Sequence, residues 1–439
     1  MTAFSNHDAI FIWGYGREGR AVLSHVLNEA PGLPLVVVDA REPKDLPDGV
    51  SWISEDDLAG ACARADRPLL VKSPGVSLYD PRVDAAIKAG ATLTSQTNLF
   101  FELKPKAQRV VAITGTKGKS TTSALTHHML KGLGVKTALA GNIGDPALLA
   151  PKDAELIVLE LSSYQIADLV HAPDAFIFLN LLADHAPWHH GGERYRADKA
   201  RLARLDPNAL GVMNAADARL TDQFGHQPNR IWFGREDGFH AEDGAVWRGE
   251  ERWGRIGSLP SDHNALNACA GLALIEALEY DPRAAFETLS DFNGLPHRLQ
   301  TVHEAEGVRY VDDGLATTPE AAAFAVDAFK ASPLVLLLGG EEREQDYAWL
   351  AQRLSGAAHI RAILALADNG ARVVEAFKDT ALGAVTRSVP DVADAVAEAR
   401  KALPEGGVVL LSPAAPRAKA FESYVERGAA FTAAAKTQT

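Results

Sequence analysis

Between Val110 and Thr122 the chain reads VVAITGTKGKSTT: an apolar run, a glycine-rich turn and a Lys-Ser pair. A strand ending at the first glycine and a helix beginning near the second lysine is the layout of a phosphate-binding loop. The common nucleotide-binding pattern leaves a longer gap between its glycines; here only Thr116 and Lys117 separate Gly115 from Gly118. Backbone N–H groups from Gly115 to Lys119 can still wrap phosphate oxygens. Lys119 can reach the β- and γ-phosphates, Ser120 can touch Mg2+, and Thr121 is counted with them among the ATP-binding residues. The stretch therefore predicts a parallel α/β unit that binds ATP.

Working outward, short apolar runs alternate with helix-like segments, the pattern of parallel-sheet α/β units. Strand candidates are AIFIWG, LPLVVVD and LLVKSPG, then RVVAITG, ELIVLELSS and AFIFLNLL, and later RYVDDG, PLVLLLGG, AILALAD and GVVLLSP. The pattern restarts after FFELKPKAQR and again around NGLPHRLQ. Three consecutive α/β domains are expected, covering residues 1–106, 107–296 and 297–439. Residues 223–261, with Trp232, Trp247 and Trp253 among charges and glycines, read as an antiparallel ribbon inside the second.

Composition narrows the function classes. A chain of 439 residues with 47% hydrophobic and 23% charged side chains has the make-up of a globular protein. Its net charge of −13 argues against nucleic acid as the main partner, though not against a local basic pocket. Cys62 and Cys269 are too few for a disulfide framework and are expected as buried thiols in a reducing compartment. The segment MTAFSNHDAIFIWGYG lacks the basic region and cleavage site of a secretory signal, and no apolar run is long enough to span a bilayer. A cytoplasmic protein without membrane insertion is the expectation.

A second glycine array lies in IFIWGYGREGRAVL, where Gly14, Gly16 and Gly19 follow a strand and open a helix. Asp39 ends the next strand, placed to meet a ribose hydroxyl. Any ligand with a diphosphate beside a ribose satisfies this pattern, a dinucleotide or a UDP-sugar alike, and a ligand-free turn satisfies it too. Ser73, Pro74 and Gly75 in VKSPGVS would lie on the same sheet edge, with Arg17, Arg41 and Lys72 as cations for phosphates. Nothing nearby serves as an acid or base for hydride transfer, which weighs against a dehydrogenase.

GTKGKST resembles the short ATP loop of the Mur ligases and the related folylpolyglutamate synthetases. The resemblance continues in order through GNIGDP, LELSSYQ, NLLADH, YRADKARL, HNALNA, GLPHRLQ, VDDGLATTP and VVLLSPAAP. It is strongest with the MurD-type branch, which adds glutamate to UDP-N-acetylmuramoyl-L-alanine in peptidoglycan synthesis. It implies a Rossmann-like UDP-binding first domain, a central ATPase-type domain and a Rossmann-like C-terminal domain that takes the amino acid. By the same resemblance Ser120 and Glu160 would hold one Mg2+, His185 and a carbamylated Lys199 a second, and Lys119 would serve the phosphates. Asn264, Asn267, Arg298 and Asp313 would contact ATP. Gly14, Tyr15, Gly16, Arg17, Glu18, Asp39, Arg41, the Ser73–Gly75 loop, Asn142 and Ser162 would face the UDP substrate. A monomer is the family expectation. HAPWHH, residues 185–190, has no cysteine or carboxylate at a spacing that would complete a zinc site.

The amino-acid pocket departs from the D-glutamate enzymes, which carry Ser-Lys where this chain has Gly314-Leu315. Arg343 in GGEEREQD, Arg417 in SPAAPRAKAF, Thr317 and Tyr424 are the candidates for gripping glutamate. An L-glutamate-adding branch shares an apolar residue at Leu315 and the motifs WGxGREGRA, VKSPG, ELSSYQ and YVxRG, although Gly314 and Arg417 replace its serines. L-glutamate is the expected substrate. A D-glutamate enzyme with an unusual pocket is the alternative, and a non-catalytic nucleotide-binding paralogue is the alternative of another class.

Overall fold

The computed structural model describes residues 4–182, 186–256, 261–292, 294–342, 345–366, 368–416, 420–421 and 423–438. The chain divides into two compact units, 1–292 and 293–439.

The first unit holds two parallel sheets. In one, β1 (Ala9–Trp13), β2 (Leu35–Val38), β3 (Val50–Ile53), β4 (Pro68–Lys72) and β5 (Thr92–Ser95) run in the order β3-β2-β1-β4-β5. Side chains of a strand alternate between its faces. Thus Ile10 and Ile12 join one buried cluster, whereas Phe11 and Trp13 join another. Both faces are covered, which is why the strand reads as a continuous apolar run. The strand order reverses between β1 and β4, and the crevice beyond their carboxyl ends is where such sheets take ligands.

The second sheet comprises β6 (Arg109–Thr114), β7 (Thr137–Gly141), β8 (Leu156–Glu160), β9 (Ala175–Phe178), β10 (Leu210–Asn214) and β11 (Arg230–Phe233), ordered β11-β10-β9-β6-β8-β7. The ATP-type loop thus leaves a central strand. β12 (Phe239–Glu242), β13 (Ala245–Arg248) and β14 (Glu251–Arg255) form the antiparallel ribbon against the helix Asp262–Ala277. The ribbon is shorter than expected. Arg230–Phe233, inside the stretch read as ribbon, pairs in parallel with β10 and closes the sheet edge.

In the second unit, β15 (Gln300–Ala305) pairs antiparallel with β16 (Val308–Asp312). β17 (Leu334–Leu338), β18 (Ile360–Ala365), β19 (Thr386–Ser388) and β20 (Gly407–Leu411) complete a sheet ordered β15-β16-β20-β17-β18-β19. β17 is buried throughout: Leu334, Leu336 and Leu338 face one core, Val335 and Leu337 the other. Cys62 and Cys269 are free and buried.

Gly19 shows how closely the first glycine loop is packed. A Cβ there would lie 2.1 Å from the Gly14 carbonyl oxygen. Gly19→Ala should therefore force the turn away from its helix, at a cost of about 1–3 kcal/mol. Thermal unfolding should show a midpoint lowered by several degrees. Gly60→Ala, where the new methyl meets only the tip of Arg64, should leave the midpoint unchanged or slightly raised.

Candidate active site

The ATP-type loop is crowded from both sides. A Cβ on Gly115 would sit 2.8 Å from Leu179 Cβ, and Gly118, at φ +85°, has Asn267 Oδ1 2.7 Å from where its Cβ would be. Lys117 N–H donates to Asn180 Oδ1 (2.8 Å), and Thr116 N–H to the Asn180 carbonyl (3.0 Å). The buried Thr116 hydroxyl meets Tyr195 Oη at 2.9 Å and accepts from Leu182 N–H at 3.0 Å. The loop is thus clamped by the segment after β9 and by the helix Gly192–Ala200.

Two lysines converge on this turn. Lys119 Nζ donates to the carbonyls of Gly115 (3.0 Å) and Thr116 (3.1 Å). Lys199, buried on the helix Gly192–Ala200, donates to the same Gly115 carbonyl (3.1 Å) and to Thr114 Oγ1 (3.3 Å). Ser120 and Thr121, in the first helical turn, are half-buried. Glu160 ends β8, fully buried; its Oε1 accepts from Asn142 Nδ2 at 2.7 Å, and its Oε2 has no hydrogen-bond partner. An orphaned carboxylate oxygen beside a phosphate loop fits the hard-oxygen preference of Mg2+.

The other expected residues divide. Asn267 is buried against Gly118, while Asn264, one turn earlier, is half-buried and donates its N–H to the Ser261 cap. The Ser162 hydroxyl is committed to a capping box with Gln165. His185, Arg343 and Arg417 lie outside the described residues. Among the described residues no group of three metal-ligating side chains gathers. In HAPWHH, His189 is buried between Asp198 Oδ2 (2.6 Å) and Ser163 Oγ (3.0 Å), and Trp188 Nε1 donates to the Pro74 carbonyl (3.0 Å).

At the first loop, Gly14 has φ +94°, and Ser73 Oγ donates to its carbonyl at 2.8 Å. Gly16 caps the helix Arg17–Glu29, Gly75 is exposed, and Asp39 Oδ2 accepts the Tyr15 N–H at 3.0 Å. The cations fall differently. Arg41 is exposed, Arg17 donates to the Gly141 carbonyl (2.8 Å), and Lys72 is sealed against Asp168 Oδ2 (3.1 Å). Burial lifts the Asp168 carboxyl above its usual range, with the Lys72 ammonium opposing the shift.

In the second unit, Asp313 is buried, accepting from Ser412 Oγ (2.7 Å) and Leu299 N–H (3.2 Å), and burial raises its carboxyl to about 6. Arg298 and Thr317 are exposed. Thr318 next door caps the helix Pro319–Asp327, which explains the Thr-Thr-Pro sequence. Tyr424 packs edge-on against His297 at 5.5 Å. Two features here went unread in the sequence. His297 Nδ1 lies 2.7 Å from the buried Asp312 Oδ2. Arg427, fully buried, donates to the Gly314 (3.0 Å) and Pro416 (3.1 Å) carbonyls, and burial lowers its guanidinium to about 10. The signals were LPHR and VDDG, each with a second polar residue beside the one singled out, and YVERG, where Arg427 follows Tyr424 by three positions.

Residues 113–275 match the Mur ligase middle domain and residues 297–415 the Mur ligase glutamate ligase domain. UDP-N-acetylmuramoyl-L-alanine–L-glutamate ligases of Xylella fastidiosa and Xanthomonas axonopodis pv. citri are each 37% identical, covering 96% of this chain and 94% of theirs. The chain belongs to the Mur ligase family. The same-named enzyme of a Micromonospora species is 35% identical over 97% of this chain and 96% of its own. The fold is also that of the MurC ligase of Thermotoga maritima, with TM-score 0.61 at 20% identity and coverage of 99% of this chain and 100% of that one.

Within this Mur ligase, Glu18 stands outside the ordinary carboxylate range. Burial raises its carboxyl to about 7 from 4.5, against the Gln165 hydrogen bond and the Arg17 charge. Its Oε1 accepts from Gln165 Nε2 at 2.8 Å. A raised carboxyl keeps its proton in the folded chain where the unfolded chain has lost it. The stability it contributes is complete below about 4.5 and is lost as pH rises through about 7. Glu18→Gln should remove that loss. Its unfolding midpoint relative to the wild type should rise between pH 5 and pH 8, as followed by thermal melts.

Proposed function

We propose that the chain is an ATP-dependent ligase that joins glutamate, as the L-enantiomer, to UDP-N-acetylmuramoyl-L-alanine. The substrate carboxylate attacks the γ-phosphorus, ADP leaves, and an acyl phosphate forms. The neutral glutamate amine then attacks the acyl carbon, and the tetrahedral intermediate collapses to the amide as phosphate leaves, carrying off the proton the nitrogen sheds. The naming of the relatives supports the reaction. Attack of an anion on an anion needs neutralising charge, and Lys119, which donates to the loop carbonyls of Gly115 and Thr116, is proposed to supply it.

The observation that carries the site is the shared Gly115 carbonyl. Lys119 and Lys199 both donate to it, at 3.0 and 3.1 Å. Two ammonium groups on one acceptor repel each other. Uptake of CO2 by the neutral amine of Lys199, with loss of one proton, would give a carbamate whose negative charge attracts Lys119 and whose oxygens can ligate a metal. Ser120 and Glu160 are the proposed ligands of one Mg2+, His185 and the Lys199 carbamate those of a second. When bound, Mg2+ would offset the charge of the phosphates. Asn264, Asn267, Arg298 and Asp313 are proposed for ATP; Gly14, Tyr15, Gly16, Asp39, Arg41, the Ser73–Gly75 loop, Asn142 and Ser162 for the UDP substrate; and Thr317, Arg343, Arg417 and Tyr424 for glutamate. The corresponding division is a UDP-binding domain at 1–106, an ATP domain at 107–296 and a glutamate domain at 297–439. No helix among the described residues is long and apolar enough to cross a membrane. A monomer working in the cytoplasm is proposed.

Amide formation with L- and D-glutamate in parallel tests the substrate. L-glutamate should be preferred, and a faster reaction with D-glutamate would assign the chain to the other branch. Lys199→Ala should lower kcat by about two orders of magnitude or more, the scale of losing an electrostatic stabiliser. Formate or acetate should restore part of it. Undiminished turnover in that variant would remove the carbamate from the site.

A further inference from the structure

Arg17 and Glu18, adjacent in the first glycine loop, both reach away from it. Arg17 Nη2 donates to the Gly141 carbonyl at 2.8 Å and lies 3.4 Å from the Asn142 carbonyl. Glu18 Oε1 accepts from Gln165 Nε2 at 2.8 Å. These partners stand on either side of Glu160 in the fold. Gly141 has φ +103°, and a Cβ on it would lie 2.3 Å from the Glu160 carbonyl oxygen. With no side chain between, a shift of Gly141 moves Glu160 directly. Asn142 carries the same constraint to the functional end: its N–H donates to the Glu160 carbonyl (2.9 Å), and its Nδ2 to the carboxylate (2.7 Å). On the other arm, Gln165 Oε1 accepts from Ser162 N–H (2.9 Å) and Ser162 Oγ (3.0 Å). That fixes the amide so that its NH2 meets Glu18.

We propose that Arg17 and Glu18 are positioning residues that transmit occupancy of the first glycine loop to the loops holding Glu160. The inference rests on the ligase reading above for the identity of the occupant. Both residues sit in the first turn of the helix Arg17–Glu29, whose free N–H groups face the turn where a diphosphate would bind. A displacement of that helix end by the ligand pulls on both arms together. Arg17 then acts through Glu160, and not as a ligand of the diphosphate.

The test uses the full chain with Arg17→Gln and Arg17→Lys. Steady-state rates are measured against UDP-N-acetylmuramoyl-L-alanine at saturating ATP and L-glutamate. Amide hydrogen exchange of residues 141–145 and 160–165 is measured without substrates. Arg17→Gln should lower kcat by about tenfold or more, with KM for the UDP substrate changed by less than about threefold, and should speed exchange in both segments. Arg17→Lys, whose ammonium can still reach one carbonyl, should recover part of kcat and of the protection, and it serves alone if the glutamine variant does not fold. A KM raised about tenfold with kcat kept would make Arg17 a phosphate ligand and overturn the proposal. Unchanged exchange would overturn it as well. A wild-type protein without ligase turnover would sink the ligase reading, while the exchange comparison would still decide the brace.

Discussion

The first unit depends on a pair of charges taken out of water. Lys72, at the end of β4, is fully buried, its ammonium held by Asp168 Oδ2 at 3.1 Å and by the carbonyls of Val76 (3.1 Å) and Ser73 (3.3 Å). Removing one partner of such a pair costs about 3–5 kcal/mol, because the other is left buried and uncompensated. Asp168 closes the helix Ser163–Ala167, and Asn98 ties the same point down through the Asp168 carbonyl (2.9 Å) and the Val170 N–H (3.0 Å). The end of β4 is therefore fixed against the capping box at Ser162. β4 pairs with β1 along its length, so the Gly14 turn is fixed as well. Only with that distance set can Glu18 meet Gln165 and Arg17 meet Gly141.

The shortened ATP-type loop is the second constraint. A longer loop can shape itself around phosphates, whereas this one is held by its surroundings. Asn180 takes Lys117 N–H and gives Nδ2–H back to the Lys117 carbonyl at 3.1 Å, and Thr116 is fastened to Tyr195. Tyr195 and Lys199 share one helix, four positions apart, and so lie on one face of it. The residue that clamps the loop thereby delivers the second lysine to Gly115. Loop geometry and the proposed carbamate site follow from one packing arrangement.

Much of this was legible because buried parallel strands are written as apolar runs. β1, β4, β6, β8, β9, β17 and β20 all read that way. The strands without such a signal lie mostly at sheet edges: Val50–Ile53, Thr92–Ser95, Thr137–Gly141, Gln300–Ala305 and Thr386–Ser388. Covered on fewer sides, they carry Ser, Thr, Gln and His, and nothing distinguishes them from loops. Leu210–Asn214 is interior but broken by Gly211, where a Cβ would strike the Phe176 ring at 2.6 Å. Of the proposed site, the glycines and Lys119 were legible because phosphate chemistry restricts residue type and spacing, and Glu160 and Lys199 only through the resemblance of their motifs to those of the Mur ligases. Lys72, Arg17 and Arg427 were not, since a sequence shows a cation without showing whether it meets a ligand or a carbonyl.

Arg427 explains why the region proposed for glutamate resists reading by substitution. Residue 314 works through its backbone. Its N–H donates to Asp312 Oδ1 at 2.8 Å, its carbonyl accepts from Arg427, and an added Cβ would lie 3.0 Å from Asp312 Oδ1. The same guanidinium holds the Pro416 carbonyl, at the end of the segment that follows β20. Gly428 beside it leaves room for Asp312 and His297, which a Cβ there would approach to 2.3 and 2.4 Å. One buried cation thus sets the spacing of the loops after β16 and β20. The exchange of serine for glycine at 314 changes how closely that backbone approaches Asp312. Residue 314 is therefore read through its backbone contacts with Asp312 and Arg427 as much as through its own identity.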